Sequence, residues 1–130
     1  MNAGVITENA AGVRVAERTT FEMNGGSIHG NNSVGSEIND GGGVLNLGTF
    51  TMRGGTIHSN TVGGNGGGVS VQSTRTAFGI TPSVFTFDGG WIHGNTANNG
   101  SDIHIGQEGA TFNNNVWDVN RGAIGSPPPR

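Results

Sequence analysis

The sequence contains no cysteine and no lysine, and only 12% of its 130 residues are charged. Without cysteine, the chain forms neither a disulfide framework nor a thiolate metal site. The six arginines are scattered and the formal net charge is −3, whereas binding to a phosphate backbone requires clustered basic residues. No apolar run is long enough to predict a transmembrane helix. We therefore expect no nucleic-acid partner and no direct insertion into a membrane.

Glycine is abundant where these other residues are scarce. The chain has 26 glycines beside a hydrophobic share of 32%, so apolar residues and glycine together reach the ~45–50% of ordinary globular proteins. The apolar residues also recur at fixed positions of a repeated motif, a regularity that disordered segments lack. We therefore predict one folded domain over residues 1–122. Residues 123–130, which include Pro127, Pro128 and Pro129, are predicted to form a Pro-rich tail or linker.

One motif recurs along the chain, most clearly as TFTMRGGTIHSN over residues 49–60. Residues 20–31 and 84–95 match it without a gap, and residues 1–9 match its second part. A degenerate copy begins at Phe112 and places Val119 where Ile57 stands. Successive copies are 22 to 35 residues apart, and periods of ~20–50 residues are typical of solenoids and related arrays.

Each copy contains short segments in which apolar and polar residues alternate, the pattern of half-buried strands. Two columns of apolar residues are predicted to stack in the core: Phe21, Phe50, Phe85 and Phe112, and Ile6, Ile28, Ile57, Ile92 and Val119. Because three strands joined by tight corners leave no room for crossover helices, successive copies must stack on each other. The sequence thus predicts an all-β parallel β-helix, a solenoid of about four coils with three short strands per coil.

The third predicted strand of each copy follows an Asn-rich turn. Its copies are VRV at 13–15, LNL at 45–47, VSV at 69–71 and IHI at 103–105. Differences in length between copies fall in the connections, including an excursion over residues 72–83 that contains Pro82. Connections that lengthen on one side of a solenoid commonly mark its binding side.

Three of the four histidines, His29, His58 and His93, hold the same position in successive copies. Each follows a buried isoleucine in an alternating strand and is therefore expected to face solvent. In register, the imidazoles would form a ladder with ~4.8 Å between rungs, which offers nitrogens to a divalent metal or groups that titrate near pH 6. We favour duplication of a repeat that happened to carry histidine, and accordingly predict no metal site and no cofactor.

Asparagine forms a second polar column, at Asn9, Asn31, Asn60 and Asn95. We interpret it as a corner ladder in which side-chain amides satisfy backbone groups. The acidic residues, by contrast, occupy different positions in their copies of the motif: Asp40, Asp88, Asp102, Asp118 and Glu108. Since cleavage of polysaccharides requires clustered carboxylates, we predict solvated corner acids, no catalytic residues and no enzymatic activity.

Two tetrapeptides of the motif carry a resemblance to known proteins. GGSI at 25–28 and GGTI at 54–57 are close to Gly-Gly-Ala-Ile, and FEMN at 21–24 and FNNN at 112–115 fit Phe-x-x-Asn. The other two copies depart from the second tetrapeptide, since they end in Arg53 and Asp88. Over residues 1–122 the chain resembles repeats of bacterial surface proteins. Among these are the chlamydial polymorphic outer-membrane proteins, in which such repeats form the passenger segment of an autotransporter. The resemblance implies a right-handed coil and an extracellular or cell-surface location in bacteria.

Three functions are compatible with these observations. The first, which we favour, is a non-enzymatic structural or adhesive segment of a secreted or cell-surface bacterial protein, with a host or cell-surface glycan or protein as partner. The second is a carbohydrate-binding or polysaccharide-degrading module on the same fold. The third is a self-assembling extracellular filament subunit. Self-association through the coil ends is expected, because an uncovered end coil presents unpaired backbone groups.

Overall fold

The computed structural model describes residues 1–34, 40–106 and 108–114, and the backbone of 124–125. These residues form strands, turns and bridges but no helix, so none of them belongs to a helix that could cross a membrane. In chain order the strands are β1 (Val5–Ile6), β2 (Val13–Val15), β3 (Thr20–Met23), β4 (Ser27–His29), β5 (Val44–Asn46), β6 (Thr49–Met52), β7 (Thr56–His58), β8 (Val69–Val71), β9 (Thr74–Thr76), β10 (Gly79–Thr81), β11 (Ser83–Phe87), β12 (Trp91–His93), β13 (Ile103–Ile105), β14 (Ala110–Asn114) and β15 (Ile124–Gly125).

Most of these strands belong to three sheets, each built from equivalent strands of successive copies. The isoleucine sheet has the order β1-β4-β7-β12-β15, the phenylalanine sheet β14-β11-β6-β3 and the valine sheet β13-β8-β5-β2. Pairing is parallel throughout, except that β15 runs antiparallel to β12. Strands β9 and β10 form a separate antiparallel hairpin. The prediction of an all-β chain with parallel strands is confirmed.

The strands pair in the register that the repeat alignment predicts for the two main apolar columns. Ile57 pairs with Ile28 on one side and with Ile92 on the other. In the phenylalanine sheet, Phe50 and Phe85 are aligned, and their rings stack with centroids 4.7 Å apart and planes 4° from parallel. Such stacking places Phe50 and Phe85 each against a phenylalanine in both neighbouring strands.

The core is formed by inward side chains of all three sheets, which make one buried cluster. Of the predicted core residues, Ile28, Ile57, Ile92, Phe50 and Phe85 are fully buried. Those in the outer strands are partly buried and pack against the cluster: Ile6, Phe21 and Phe112. Outer strands have a neighbour on one side only, which explains the difference. Val119 lies outside the described residues.

The valine sheet differs from the prediction at β5. Its strand is Val44–Asn46, with Leu45 half-buried and Asn46 fully buried, so the predicted strand at 45–47 is displaced by one residue. The three glycines before Val44 align with those before Val69, and this alignment overrides the Leu-Asn-Leu alternation. The Asn46 amide is satisfied in the core, since Nδ2 donates to the Val84 carbonyl at 2.8 Å and Oδ1 accepts from the Gly48 amide at 3.1 Å.

The glycines before β5 are required for two different reasons. Gly41 has a φ of +69°, a left-handed conformation that side chains disfavour. Gly43 has an ordinary φ, but a Cβ there would lie 2.6 Å from the Gly68 carbonyl oxygen and 3.0 Å from Nδ2 of Asn60. Close approach between neighbouring copies, and not only turning of the chain, therefore explains the glycine content.

The segment predicted as a tail contributes to a sheet. Ile124 and Gly125 pair with Ile92 and Trp91, which places β15 on the outer edge of β12. The rest of residues 115–130, including the three consecutive prolines, lies outside the described part of the chain.

Candidate functional site: the histidine face and the hairpin cleft

The outward side of the isoleucine sheet carries a continuous stack of aromatic rings, here called the histidine face: His29, His58, His93 and Trp91. The imidazole centroids of His29 and His58 are 4.8 Å apart, and those of His58 and His93 are 5.1 Å apart. The planes are inclined by 7° and 12°. Trp91, two residues before His93 on the same strand, stacks on that imidazole at 3.5 Å. The alternation predicts this outward direction, and parallel register produces the stack.

The surroundings of His58 and His93 oppose their protonation. Partial burial lowers the pKa of His58 below its ordinary value, and the imidazoles of His93 and His29 lower it further. Burial also lowers the pKa of His93, an effect that the Asp102 carboxylate opposes. The His58 nitrogens lie within hydrogen-bond distance of hydroxyls, with Nε2 3.4 Å from Ser27 Oγ and Nδ1 3.0 Å from Ser59 Oγ. The neutral form of His58 and His93 is thus the favoured state near neutral pH.

The imidazoles lie in a row and do not surround a common point. Among the described residues, no three His, Asp or Glu side chains are placed to hold a metal ion together. A ladder of this kind differs from a tetrahedral metal site, in which the ligands converge from different directions.

The four asparagines of the predicted ladder form a chain of hydrogen bonds along one corner. Asn9 Nδ2 donates to Asn31 Oδ1 at 3.2 Å, Asn31 Nδ2 to Asn60 Oδ1 at 2.9 Å, and Asn60 Nδ2 to Asn95 Oδ1 at 3.0 Å. Each Oδ1 also accepts from the backbone N–H of the preceding asparagine in the ladder. Asn31, Asn60 and Asn95 are buried, so these bonds satisfy polar groups away from water.

Asp102 ends the asparagine ladder. Its Oδ1 accepts from Asn95 Nδ2 at 3.0 Å and from the Asn95 backbone N–H at 3.2 Å. By strand pairing, Asp102 stands in the column of Gly68 and Gly43. A side chain in the Gly68 position would come within 2.8 Å of Asn95 Nδ2. In the last copy, the aspartate carboxylate itself supplies the acceptor that the next asparagine would otherwise provide.

A second, shorter ladder runs along another corner. Asp40, Asn65 and Asn99 form successive parallel bridges. Asp40 Oδ1 accepts from the Asn65 backbone N–H at 2.8 Å, and Asn65 Oδ1 accepts from Asn99 Nδ2 at 3.0 Å. The other Asp40 oxygen accepts from Gln72 Nε2 at 2.6 Å. The expectation that Asp40 and Asp102 are merely solvated is therefore wrong: both are carboxylate ends of amide ladders.

The other acidic residues compared in the sequence are dispersed. Glu108 forms an exposed ion pair with Arg75 at 3.5 Å. Asp88 follows β11, and its backbone N–H donates to the Met52 carbonyl. Asp118 lies outside the described residues.

The excursion after β8 forms the hairpin of β9 and β10, which borders an open cleft of about 510 Å³, here called the hairpin cleft. Its lining residues are Glu17, Arg18, Thr74, Thr76, Phe78 and Thr81. Phe78, in the turn of the hairpin, is 101% exposed. The turn is held by a hydrogen bond from the Phe78 backbone N–H to Thr76 Oγ1 at 3.2 Å.

A corner of the first copy supplies the charged side of the hairpin cleft. A backbone hydrogen bond and the Thr74 hydroxyl, which donates to Glu17 Oε1 at 3.1 Å, lower the pKa of Glu17. Arg18 adopts a φ of +63° and has no ion-pair partner among the described residues.

Sequence reasoning missed the ladder ends and the hairpin cleft, although the sequence carries a signal for the Asp40 ladder and for the hairpin. Asp40, Asn65 and Asn99 each precede a glycine and lie four residues before a valine or isoleucine that begins a strand of the valine sheet. Within the excursion, residues 74–81 read TRTAFGIT, two short β-prone runs around a glycine turn.

Comparison of the chain with protein-family models gave no match, and neither did comparison with curated proteins or with solved structures.

Proposed function

We propose that the chain is a non-enzymatic structural or adhesive segment of a secreted or cell-surface bacterial protein, built as a right-handed parallel β-helix. The observation that carries the proposal is that repeated residues are buried in the scaffold, whereas a non-repeated segment is exposed. Repeated phenylalanines, isoleucines and asparagines fill the core and one corner, whereas the non-repeated excursion projects Phe78 fully into solvent. A stacked scaffold with a projecting loop suits presentation of a binding surface.

The placement of the carboxylates supports a role without catalysis. Asp40 and Asp102 accept hydrogen bonds from the ladders, and Glu108 pairs with Arg75. An acid/base pair for glycoside cleavage requires two carboxyl groups facing one substrate bond. We expect purified protein to release no reducing ends and no unsaturated products from neutral or acidic polysaccharides. Turnover that a single Asp or Glu substitution abolishes would contradict the proposal.

The location can be tested with antibodies raised against the purified chain. Intact cells of the organism that carries the gene are expected to be labelled without permeabilisation, or the antigen is expected in the culture medium. Labelling that requires permeabilised cells, with no antigen in the medium, would contradict a secreted or surface location.

Self-assembly is a second candidate, favoured by the edges of the valine sheet. Within the described residues, β2 and β13 each have a paired strand on one side only. The Val13 N–H donates to the Gly43 carbonyl and the Val15 carbonyl accepts from the Leu47 N–H, so both residues use the edge that faces β5. Because backbone groups alternate in direction along a strand, those of Arg14 face the open edge. An open edge of this kind is a template for strand addition.

A further inference from the structure

We propose that the hairpin cleft binds a neutral oligosaccharide. This inference rests on the proposed adhesive function and names the chemical class of its ligand. It is carried by the side chains that line the cleft, which combine one exposed aromatic ring with groups that donate and accept hydrogen bonds.

Phe78 supplies the apolar part of the cleft. Its side chain is 101% exposed and lines the cleft, and sites for small molecules combine aromatic side chains with a few polar groups. The hairpin holds the backbone of this residue through the hydrogen bond to Thr76 Oγ1. The flat face of an aromatic ring matches the C–H face of a pyranose ring, so bound sugar would cover surface that is now in water.

The polar lining groups complement a polyol. Threonine hydroxyls both donate and accept hydrogen bonds, arginine donates and an ionised glutamate accepts. Thr74 already donates to Glu17, which leaves its oxygen able to accept from a sugar hydroxyl. Arg18 lines the cleft, and its guanidinium carries N–H groups that donate to sugar oxygens.

The charges of the cleft favour a neutral sugar. Glu17 and Arg18 contribute one negative and one positive charge, and the Glu17 carboxylate stays ionised at neutral pH because its hydrogen bonds lower its pKa. Glu17 also pairs with Arg14, whose Nη2 lies 3.9 Å from Glu17 Oε1. A polyuronate carboxylate beside Glu17 would compete for this arginine, whereas a neutral sugar leaves the ion pair intact. A protein partner is less suited, because the lining has no aliphatic side chain around Phe78 to complete the apolar centre of an interface.

The proposal is tested by calorimetric titration of the full chain with cellohexaose, maltohexaose and mannohexaose at neutral pH, and with hexagalacturonate as the charged comparison. At least one neutral hexasaccharide is expected to bind at millimolar concentration or below. Phe78→Ala is expected to weaken that binding by about tenfold or more, and Phe78→Trp is expected to retain it. Because Phe78 is fully exposed, both variants should keep the melting temperature of the parent chain.

Val34→Ala is the matched control, since Val34 is also an exposed apolar residue, at 59%, but does not line the cleft. Its sugar binding should equal that of the parent. The proposal is overturned if no neutral hexasaccharide binds at millimolar concentration, if only hexagalacturonate binds, or if Phe78→Ala binds as the parent does. Each of these results would leave surface labelling and the lack of polysaccharide turnover unaffected, so the proposed function is judged separately.

Discussion

Asn60 shows how a single residue connects neighbouring copies. Its Oδ1 accepts from both the side chain and the backbone of Asn31, and its Nδ2 donates to Asn95 Oδ1 and to the Ile28 carbonyl. The residue is fully buried, so water cannot replace these bonds if the amide is removed.

Replacement of Asn60 by alanine is therefore expected to be costly. The Asn31 backbone N–H and the Ile28 carbonyl would each lose the bond that the Asn60 side chain makes to them. Unsatisfied buried groups cost ~1–3 kcal/mol apiece, so we expect a loss of roughly 2 kcal/mol or more in the free energy of unfolding. Asn24→Ala is the control, because Asn24 makes an exposed bond to Asn2 and should lose less than about 1 kcal/mol. Chemical denaturation measures both, and equal losses would contradict a structural role for the ladder.

Ile57 tests the core in the same way. It is fully buried between Ile28 and Ile92, and a carboxylate there would have no partner, so Ile57→Asp is expected to abolish cooperative unfolding. Thr49→Asp places the same group on an exposed position of β6 and is expected to change stability little. Circular dichroism during thermal unfolding distinguishes the two variants. A cooperative transition for Ile57→Asp near that of the parent would mean that this column is not the core.

At the residue scale, repetition determines what the sequence predicts. The positions of Ile57, Phe50 and Asn60 follow from alignment of the copies, because in-register stacking gives equivalent residues equivalent surroundings. Asp102 is an exception, because its column otherwise holds glycine. Its role as hydrogen-bond acceptor for Asn95 becomes clear only from the structure, in which no further asparagine follows Asn95 in the ladder.

At the scale of elements, the parallel register of the strands stacks the histidines, and this stacking makes the stability of the fold depend on pH. His58 has an imidazole on each side, and the carboxylate that acts on this stack, Asp102, lies near His93. Proton uptake by the middle ring therefore places a positive charge where burial and its two neighbours oppose it.

Stability is expected to fall as the medium becomes acidic. The folded pKa of His58 and His93 lies below the ordinary value of 6.5, so the unfolded chain binds more protons at mildly acid pH. The contribution of these two histidines to the free energy of unfolding is fully present above pH 6.5. It decreases as the pH falls through and below this value, until the folded imidazoles are also protonated.

Denaturant unfolding between pH 8 and pH 5 measures this dependence. His58→Gln is expected to reduce the slope, whereas His104→Gln, on the valine sheet, should leave the contribution of the histidine face in place. An unchanged slope in His58→Gln, or stability that rises on acidification from pH 7 to pH 6, would contradict the assignment.

Element positions were predictable where alternation and repetition agree, as in β3, β6 and β11. They were not where the two compete, as in β5, because a shift of one residue exchanges the inward and outward sides of a strand. The hairpin of β9 and β10 has no equivalent in other copies, so alignment carries no information about its pairing partner.

At the scale of the whole molecule, the outer strands of the sheets are the edges through which two molecules could pair. If the open edge of β2 adds a strand from another molecule, association should depend on concentration. Arg14→Pro removes a donor at that edge while leaving the Val13 and Val15 bonds to the neighbouring copy in place. Sedimentation over a hundredfold concentration range is expected to show dimers or larger species for the parent and weaker association for Arg14→Pro. A monomer at every concentration would exclude this mode.

Stacking of successive copies in parallel register underlies both proposals, and thiol crosslinking tests it most directly because the chain has no cysteine of its own. Thr49 and Val84 are paired across β6 and β11, and neighbouring strands are ~4.8 Å apart, within the range that a disulfide spans. Thr49 and Thr86 are offset by two residues along the strand, which separates them by about 8 Å.

Mild oxidation of the double variants Thr49→Cys with Val84→Cys and Thr49→Cys with Thr86→Cys, followed by mass spectrometry of the monomer, provides the measurement. Parallel in-register stacking predicts an intramolecular disulfide in the first variant and free thiols in the second. A disulfide that forms faster in the second variant, or equally in both, would contradict the register on which the fold and its proposed function depend.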